Sequence, residues 1–354
     1  MEDFIGRVGG RKSSIGPRAL RWNGIETRHY AMTPSGEVLH TNASMCAAAV
    51  STALDDAGLG RADLQFLATA TTQGDYLVPG HASAVHGELG GGALELASFQ
   101  SVCASSVMAA KAACLAVRAG EADCAAAVAG EFSSRWFRPS FYDGTALLDA
   151  KGRLPMEADF LRWTLSDGAG AIVVEPNPRP GHASLRIAWI DLTSLAGHFD
   201  SCMWAGAAAV NRSDLVHAWC HAGPRAAHAA GAIALLQDFA LLKIIIRAWI
   251  GVYLEKVDSG RIVPDRVDWL LCHYSAQSLR REIVDLLKST NAMIPEEKWF
   301  TTLPTTGNVG SASIWVMLDA FLKSGSAKPG DRVLCVVPES GRAMVGFMML
   351  EVLQ

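Results

Sequence analysis

The sequence has no cluster of Lys and Arg, and charged residues make up only 19% of its 354 residues, with a formal net charge of -4. It therefore lacks the basic footprint of a nucleic-acid binder. It also has no uncharged apolar run of the ~18 residues a membrane span needs. The best candidate, Phe239 to Leu254, is broken by Lys243 and Arg247. The opening Met-Glu-Asp-Phe lacks the basic start and apolar stretch of a signal peptide, so the expected location is the cytoplasm. None of the cysteines (Cys46, Cys103, Cys114, Cys124, Cys202, Cys220, Cys272, Cys335) forms a CxxC pair. A disulfide framework is not expected at this length and in this compartment.

What is present is apolar and small. Hydrophobic residues make up 50% of the chain, enough for a large core, and Gly and Ala are abundant, as where helices pack closely on sheets. Helical and strand patterns alternate, which predicts α/β layers. Leu64 to Thr69, Leu96 to Val102, Ala125 to Ala129 and Trp269 to Cys272 read as strands. Met108 to Val117 reads as a helix. Phe239, Leu242, Ile246, Trp249 and Tyr253 fall at helical spacing.

The two halves of the chain resemble each other. Cys103 opens a run of small residues and a helix that reaches Gly120, 17 residues on; Asn308 opens Val309-Gly310-Ser311 and a helix that reaches Gly325, again 17 residues on. Each helix leads through an acidic turn (Asp123, Asp331) into an apolar strand, and each half closes on a glycine-bearing strand, Asp167 to Val174 and Val345 to Leu350. The order and spacing favour duplication over chance. The expected boundary lies in the proline cluster near Pro176 to Pro180, giving halves 1–178 and 179–354. The first would carry a nucleophile and the second a His and an Asn.

Cys103 follows a strand pattern and precedes a helix start, where unpaired N–H groups and the helix dipole favour a thiolate. Taken alone, its neighbourhood fits a structural cysteine better. His273 stands at the end of a strand, where side chains of α/β folds emerge into clefts; a satisfied histidine is common there too. Asn308 sits in a turn before a helix, and Asn is also a preferred N-cap. No one of the three is specific. The Cys-His-Asn set is more so, because Cys103 and Asn308 occupy equivalent points of the two halves.

On these residues the chain resembles the ketoacyl synthase III proteins. Ala68-Thr69-Ala70-Thr71-Thr72 through Pro79, Leu89-Gly90, and Cys103 with its helix to Gly120 look like their first half. Asn23-Gly24-Ile25-Glu26-Thr27-Arg28-His29 and Asp167-Gly168-Ala169-Gly170 match further segments, as do His273 and Gly307-Asn308. The resemblance runs from about residue 20 to 354. It implies a thiolase-like fold, duplicated as five αβαβα layers, and a homodimer. It implies that Cys103 takes an acyl group from coenzyme A or an acyl carrier protein, with no cofactor and no metal. His273 and Asn308 would then stabilise the enolate of a malonyl or β-ketoacyl thioester that attacks it. The backbone N–H of Cys103 and one from Ser340 or Gly341 would hold the oxyanion.

Several segments depart from a fatty-acid-initiating synthase. The usual His-Gln-Ala-Asn reads His273-Tyr274-Ser275-Ala276. The late glycine-rich loop reads Pro338-Glu339-Ser340-Gly341-Arg342, and Trp22 stands nearer its glycine than the expected tryptophan. These departures resemble secondary-metabolism branches such as the aryl polyene and dialkylresorcinol ketosynthases. Glu131 is a candidate for an added acid or base; an i,i+4 ion pair with Arg135 is the plainer expectation. Phe199, Met203, Trp204 and Trp219 are candidates for an acyl tunnel, against plain packing. His217, Cys220, His221 and His228 fit no common zinc spacing. An acyltransferase to an alcohol or amine, a silent partner subunit and a papain-like hydrolase share parts of the pattern. The Cys-Gly-Ser/Ala-Cys-Trp context of the last is absent around Cys103.

Overall fold

The computed structural model describes residues 1–207 and 218–353. His217 and the rest of 208–217 lie outside the described residues. Two sheets carry the architecture. The first comprises β1 (Phe66–Thr71), β2 (Glu95–Gln100), β3 (Ala125–Glu131) and β4 (Gly168–Val174), in the order β2-β1-β3-β4. The second draws on β5 (Leu185–Ser194), β8 (Trp269–Cys272), β9 (Trp299–Phe300), β10 (Arg332–Glu339) and β11 (Met344–Val352), in the order β5-β11-β10-β8-β9. A two-stranded ribbon pairs β6 (Met203–Trp204) with β7 (Leu236–Gln237).

The two sheets repeat one pattern. β2, β1 and β3 run parallel and β4 antiparallel; β9, β8 and β10 run parallel and β11 antiparallel. Helix α3 (Ser105–Arg118) leads into β3, and α7 (Ser313–Lys323) leads into β10.

Period-2 alternation sorts the layers. Ala68, Ala70, Ala127 and Ala129 of the first sheet, with Val333, Cys335 and Val337 of the second, face a shared core that holds α3 and α7. The opposite face of the first sheet, Leu67, Ala126 and Val128, packs on α1 (Asn42–Asp56) and α2 (His81–Leu89). The outer face of the second, Leu270, Cys272 and Leu334, packs on α5 (Phe239–Asp258) and α6 (Gln277–Ser289). The result is the αβαβα layering expected of a thiolase-like fold. Alanine on the inner strand faces lets α3 lie close. Gly346 of β11 shows how close, since a Cβ there would stand 2.9 Å from Val107 of α3.

Helix α4 (Met156–Thr164) lies outside these layers. Its Arg162 is 1% exposed, paired with Asp159 at 3.3 Å and bonded to the carbonyls of Phe137 and Gly6. No helix among the described residues is long and apolar enough to cross a membrane.

Candidate active site

Three loop ends meet above the shared core. Cys103 occupies the turn between β2 and α3, with the Ser106 hydroxyl donating to its carbonyl at 3.0 Å. His273 is the first residue past β8, and its N–H is tied to the Val336 carbonyl of β10 at 2.9 Å. Asn308 precedes α7. Its N–H donates to the Thr164 carbonyl (3.0 Å) and its own carbonyl accepts from Ser166 N–H (2.8 Å). His273 and Asn308 are thus held by backbone belonging to other elements, so their positions do not depend on side-chain packing alone.

The side chains converge. His273 Nε2 lies 3.1 Å from Cys103 Sγ. Asn308 Oδ1 accepts the Gly310 N–H at 2.9 Å, which turns the amide nitrogen away from the backbone. All three residues are 4–5% exposed and line one cavity of about 850 Å³, a volume that includes its mouth. The cavity runs from this polar end between apolar walls. Leu242, Ile246 and Trp249 of α5 line it at i, i+4 and i+7, together with Leu279 and Ile283 of α6 and Phe160 of α4.

Burial sets the charge state. It pushes His273 down to about 4, so the imidazole is neutral near pH 7. It also raises the Cys103 thiol well above its ordinary range, and the carboxyls of Glu339 and Glu131 add to this. The thiolate expected from the helix start is thus not the resting form. Desolvation and two nearby carboxyls outweigh the dipole.

Other expectations are corrected. Glu131 makes no pair with Arg135. It ends β3, and its Oε1 accepts from the N–H and hydroxyl groups of both Thr72 and Ser311. Arg135 instead pairs with Asp75 at 2.9 Å, because the chain leaves the strand at Phe132 and turns into a short 3₁₀ segment. Of the four tunnel candidates only Met203 reaches the cavity. Phe199 packs against the outer core of the second sheet, and its carbonyl accepts from Arg342. Trp204 joins a separate cluster with Tyr142 and Leu236. Trp219 stacks over Gly206. Ser340 lines the cavity, whereas the Gly341 carbonyl accepts the Cys202 N–H outside it. His228 bonds the Ser140 carbonyl, Cys220 and His221 are exposed, and the described residues contain no cluster of three metal-binding side chains.

Sequence reasoning missed Glu339, which is 2% exposed. The signal was a glutamate in Pro338-Glu339-Ser340-Gly341-Arg342, where a glycine-rich loop was expected. It also missed the apolar wall on α5, whose periodicity marked a helix without marking what the helix faces.

Comparison with known proteins agrees with this fold. The model "Beta-ketoacyl synthase, N-terminal domain" matches residues 64–179, and "3-Oxoacyl-[acyl-carrier-protein (ACP)] synthase III C terminal" matches residues 258–349. The beta-ketoacyl-[acyl-carrier-protein] synthase III of Agrobacterium fabrum is 29% identical over 315 residues, covering 88% of this chain and 83% of that one. Its counterpart in Bordetella petrii is 27% identical over 317 residues, covering 88% and 80%. Among solved structures, AbyA1, a tetronic acid condensing enzyme, superposes with a TM-score of 0.75 at 22% identity, covering 97% of this chain and 92% of that one.

Proposed function

Because this chain is a ketoacyl synthase III-like member of the thiolase superfamily, we propose that it forms a carbon–carbon bond between an acyl group carried on Cys103 and a malonyl or β-ketoacyl thioester. The single observation that carries the proposal is the convergence of Cys103, His273 and Asn308 at the polar end of one apolar-walled cavity.

The chemistry follows from those positions. In the first step the Cys103 thiol gives its proton to His273 Nε2, and the sulfur attacks the donor's carbonyl carbon. The donor's thiolate leaves and takes the proton back. Backbone N–H groups, with Cys103 and Ser340 as candidates, stabilise the tetrahedral oxyanion. The acyl chain then lies along Ile246, Trp249 and Ile283.

In the second step a malonyl thioester enters. Between the two thioesters neutral His273 exchanges its ring proton with solvent, losing it from Nδ1 and gaining one at Nε2, and in that form it and the free Nδ2 of Asn308 donate to the thioester carbonyl. Loss of carbon dioxide leaves an enolate stabilised by those two donors. Its carbon attacks the acyl carbonyl, the Cys103 thiolate leaves, and the β-ketoacyl product departs. A neutral imidazole suits this role, since a protonated one would be costly in so buried a site.

The donors in this proposal are coenzyme A or acyl-carrier-protein thioesters, and the working unit is a homodimer. Incubation with acyl-coenzyme A should add one acyl mass to the intact protein, mapped to the Cys103 peptide. Cys103→Ala should accept none while unfolding at the same temperature. An acyl group that appears on another residue, or persists in the variant, overturns the assignment.

A further inference from the structure

Two buried carboxyls flank the cavity from opposite halves of the fold. Glu131 ends β3 in the first sheet, and Glu339 ends β10, the strand at the corresponding place in the second. Each reaches across to the helix start that follows the other half's site residue. Glu131 Oε1 takes the Ser311 N–H at 3.2 Å and the Ser311 hydroxyl at 2.6 Å, just past Asn308. Glu339 Oε2 takes the Ala104 N–H at 3.0 Å, and its Oε1 takes the Ser101 hydroxyl at 2.5 Å, on either side of Cys103. The Val102 N–H is a further donor to Glu339.

We propose that Glu339 is a positioning residue that clamps the Cys103 turn from the second half of the fold and keeps the resting nucleophile a neutral thiol. The proposal rests on reading Cys103 as the acyl carrier. The start of α3 would ordinarily offer its N–H groups and dipole to a thiolate. Here a carboxylate already occupies that positive end, so the sulfur gains little from it. The loop is also packed tightly against the turn. A Cβ on Gly341 would stand 2.8 Å from Val102 Cγ2 and 3.1 Å from Glu339 Oε1.

The titratable groups around Cys103 are few. His273 on the β8 end is neutral, and Glu131 and Glu339 close the β3 and β10 ends. With no cation beside it among the described residues, the thiol waits for its proton to pass to His273 as a thioester binds. Glu131 gives the same support to the Asn308 turn, and this use of its Oε1 favours a positioning role over acid–base work.

The experiment is the pH–rate profile of Cys103 alkylation by iodoacetamide, read on the Cys103 peptide of the full-length protein. Glu339→Gln removes the charge and keeps an acceptor for Ala104. Its profile should move to lower pH, with alkylation roughly tenfold faster near neutrality, since removing one adjacent negative charge lowers a thiol by about one pH unit. An unchanged profile in the folded variant overturns the proposal. If the Gln variant does not fold, Glu339→Ser, small enough to admit a water to the same donors, is read in the same way. Alkylation needs no acyl donor, so this result is separate from any failure of the condensing reading, which would appear as an absent acyl-enzyme.

Discussion

His273→Asn should flatten the acid side of the protein's stability curve. In the folded state burial holds His273 at about 4, whereas an exposed imidazole titrates at 6.5. Between those values the unfolded chain binds a proton there that the folded protein refuses. Stability from this group is therefore complete above pH 6.5 and is lost as the pH falls towards 4. Integrated, the loss is about 2 kcal/mol at about pH 5 and near zero at about pH 7.5. Asparagine keeps a neutral donor of similar size but cannot titrate. The buried carboxyls of Glu131, Glu339 and Asp167 are raised and so act in the opposite sense, gaining stability as the pH falls. They are present in both proteins and cancel in the comparison, as does His81, which is also held at about 4. Urea unfolding of both proteins at the two pH values measures the difference. The parent should lose about 2 kcal/mol more than the variant on acidification. Equal losses would mean that folded His273 takes up its proton, and the neutral-imidazole mechanism would fail with that result.

Four further outcomes follow from packing. Ile246→Trp should block the apolar arm, so that acylation by long-chain donors falls steeply while short-chain donors react as before. In the parent each added methylene should raise acylation kcat/KM about fourfold until the arm is full, from ~0.8 kcal/mol per buried CH₂. Arg162→Met should cost about 3–5 kcal/mol in denaturant unfolding, because it leaves buried Asp159 with no cation and only the Ser13 hydroxyl, and strands the Phe137 and Gly6 carbonyls; a loss under about 1 kcal/mol would show that the network carries little. Gly170→Ala places a Cβ 2.7 Å from Trp315 Cβ, where β4 meets α7, and should cost about 1–3 kcal/mol by thermal unfolding, with no loss only if α7 can shift.

Much of the layering was legible in the chain. The unbroken apolar run Ala125 to Ala129 fits a strand buried on both faces, and Phe239 to Leu254 repeats at helical spacing. Cys103 and Asn308 were found as a pair because the same helix offset recurs in both halves, a signal that survives when local composition is ambiguous. What failed depended on where the chain goes after a local element ends. Glu131 and Arg135 have helical spacing in sequence, yet a strand end intervenes and sends Arg135 to Asp75. Phe199, Trp204 and Trp219 share an Ala-rich segment with Met203, but only Met203 is placed against the cavity. The acyl wall instead comes from α5 and α6, far along the chain. The charge on Cys103 was misread because its dominant influences, burial and the Glu339 carboxyl, come from residues more than 200 positions away in sequence or from no single residue at all.

The central claim is that a carbanion, and not an alcohol or amine, removes the acyl group from Cys103. Preformed acyl-enzyme, freed of excess donor, can be mixed with ¹³C-labelled malonyl thioester and followed by intact-protein mass. The account predicts that the acyl mass disappears, labelled carbon dioxide is released, and a β-ketoacyl thioester two carbons longer than the donor appears. An acyl-enzyme that survives malonyl and β-ketoacyl thioesters but is discharged by an alcohol or amine would contradict it.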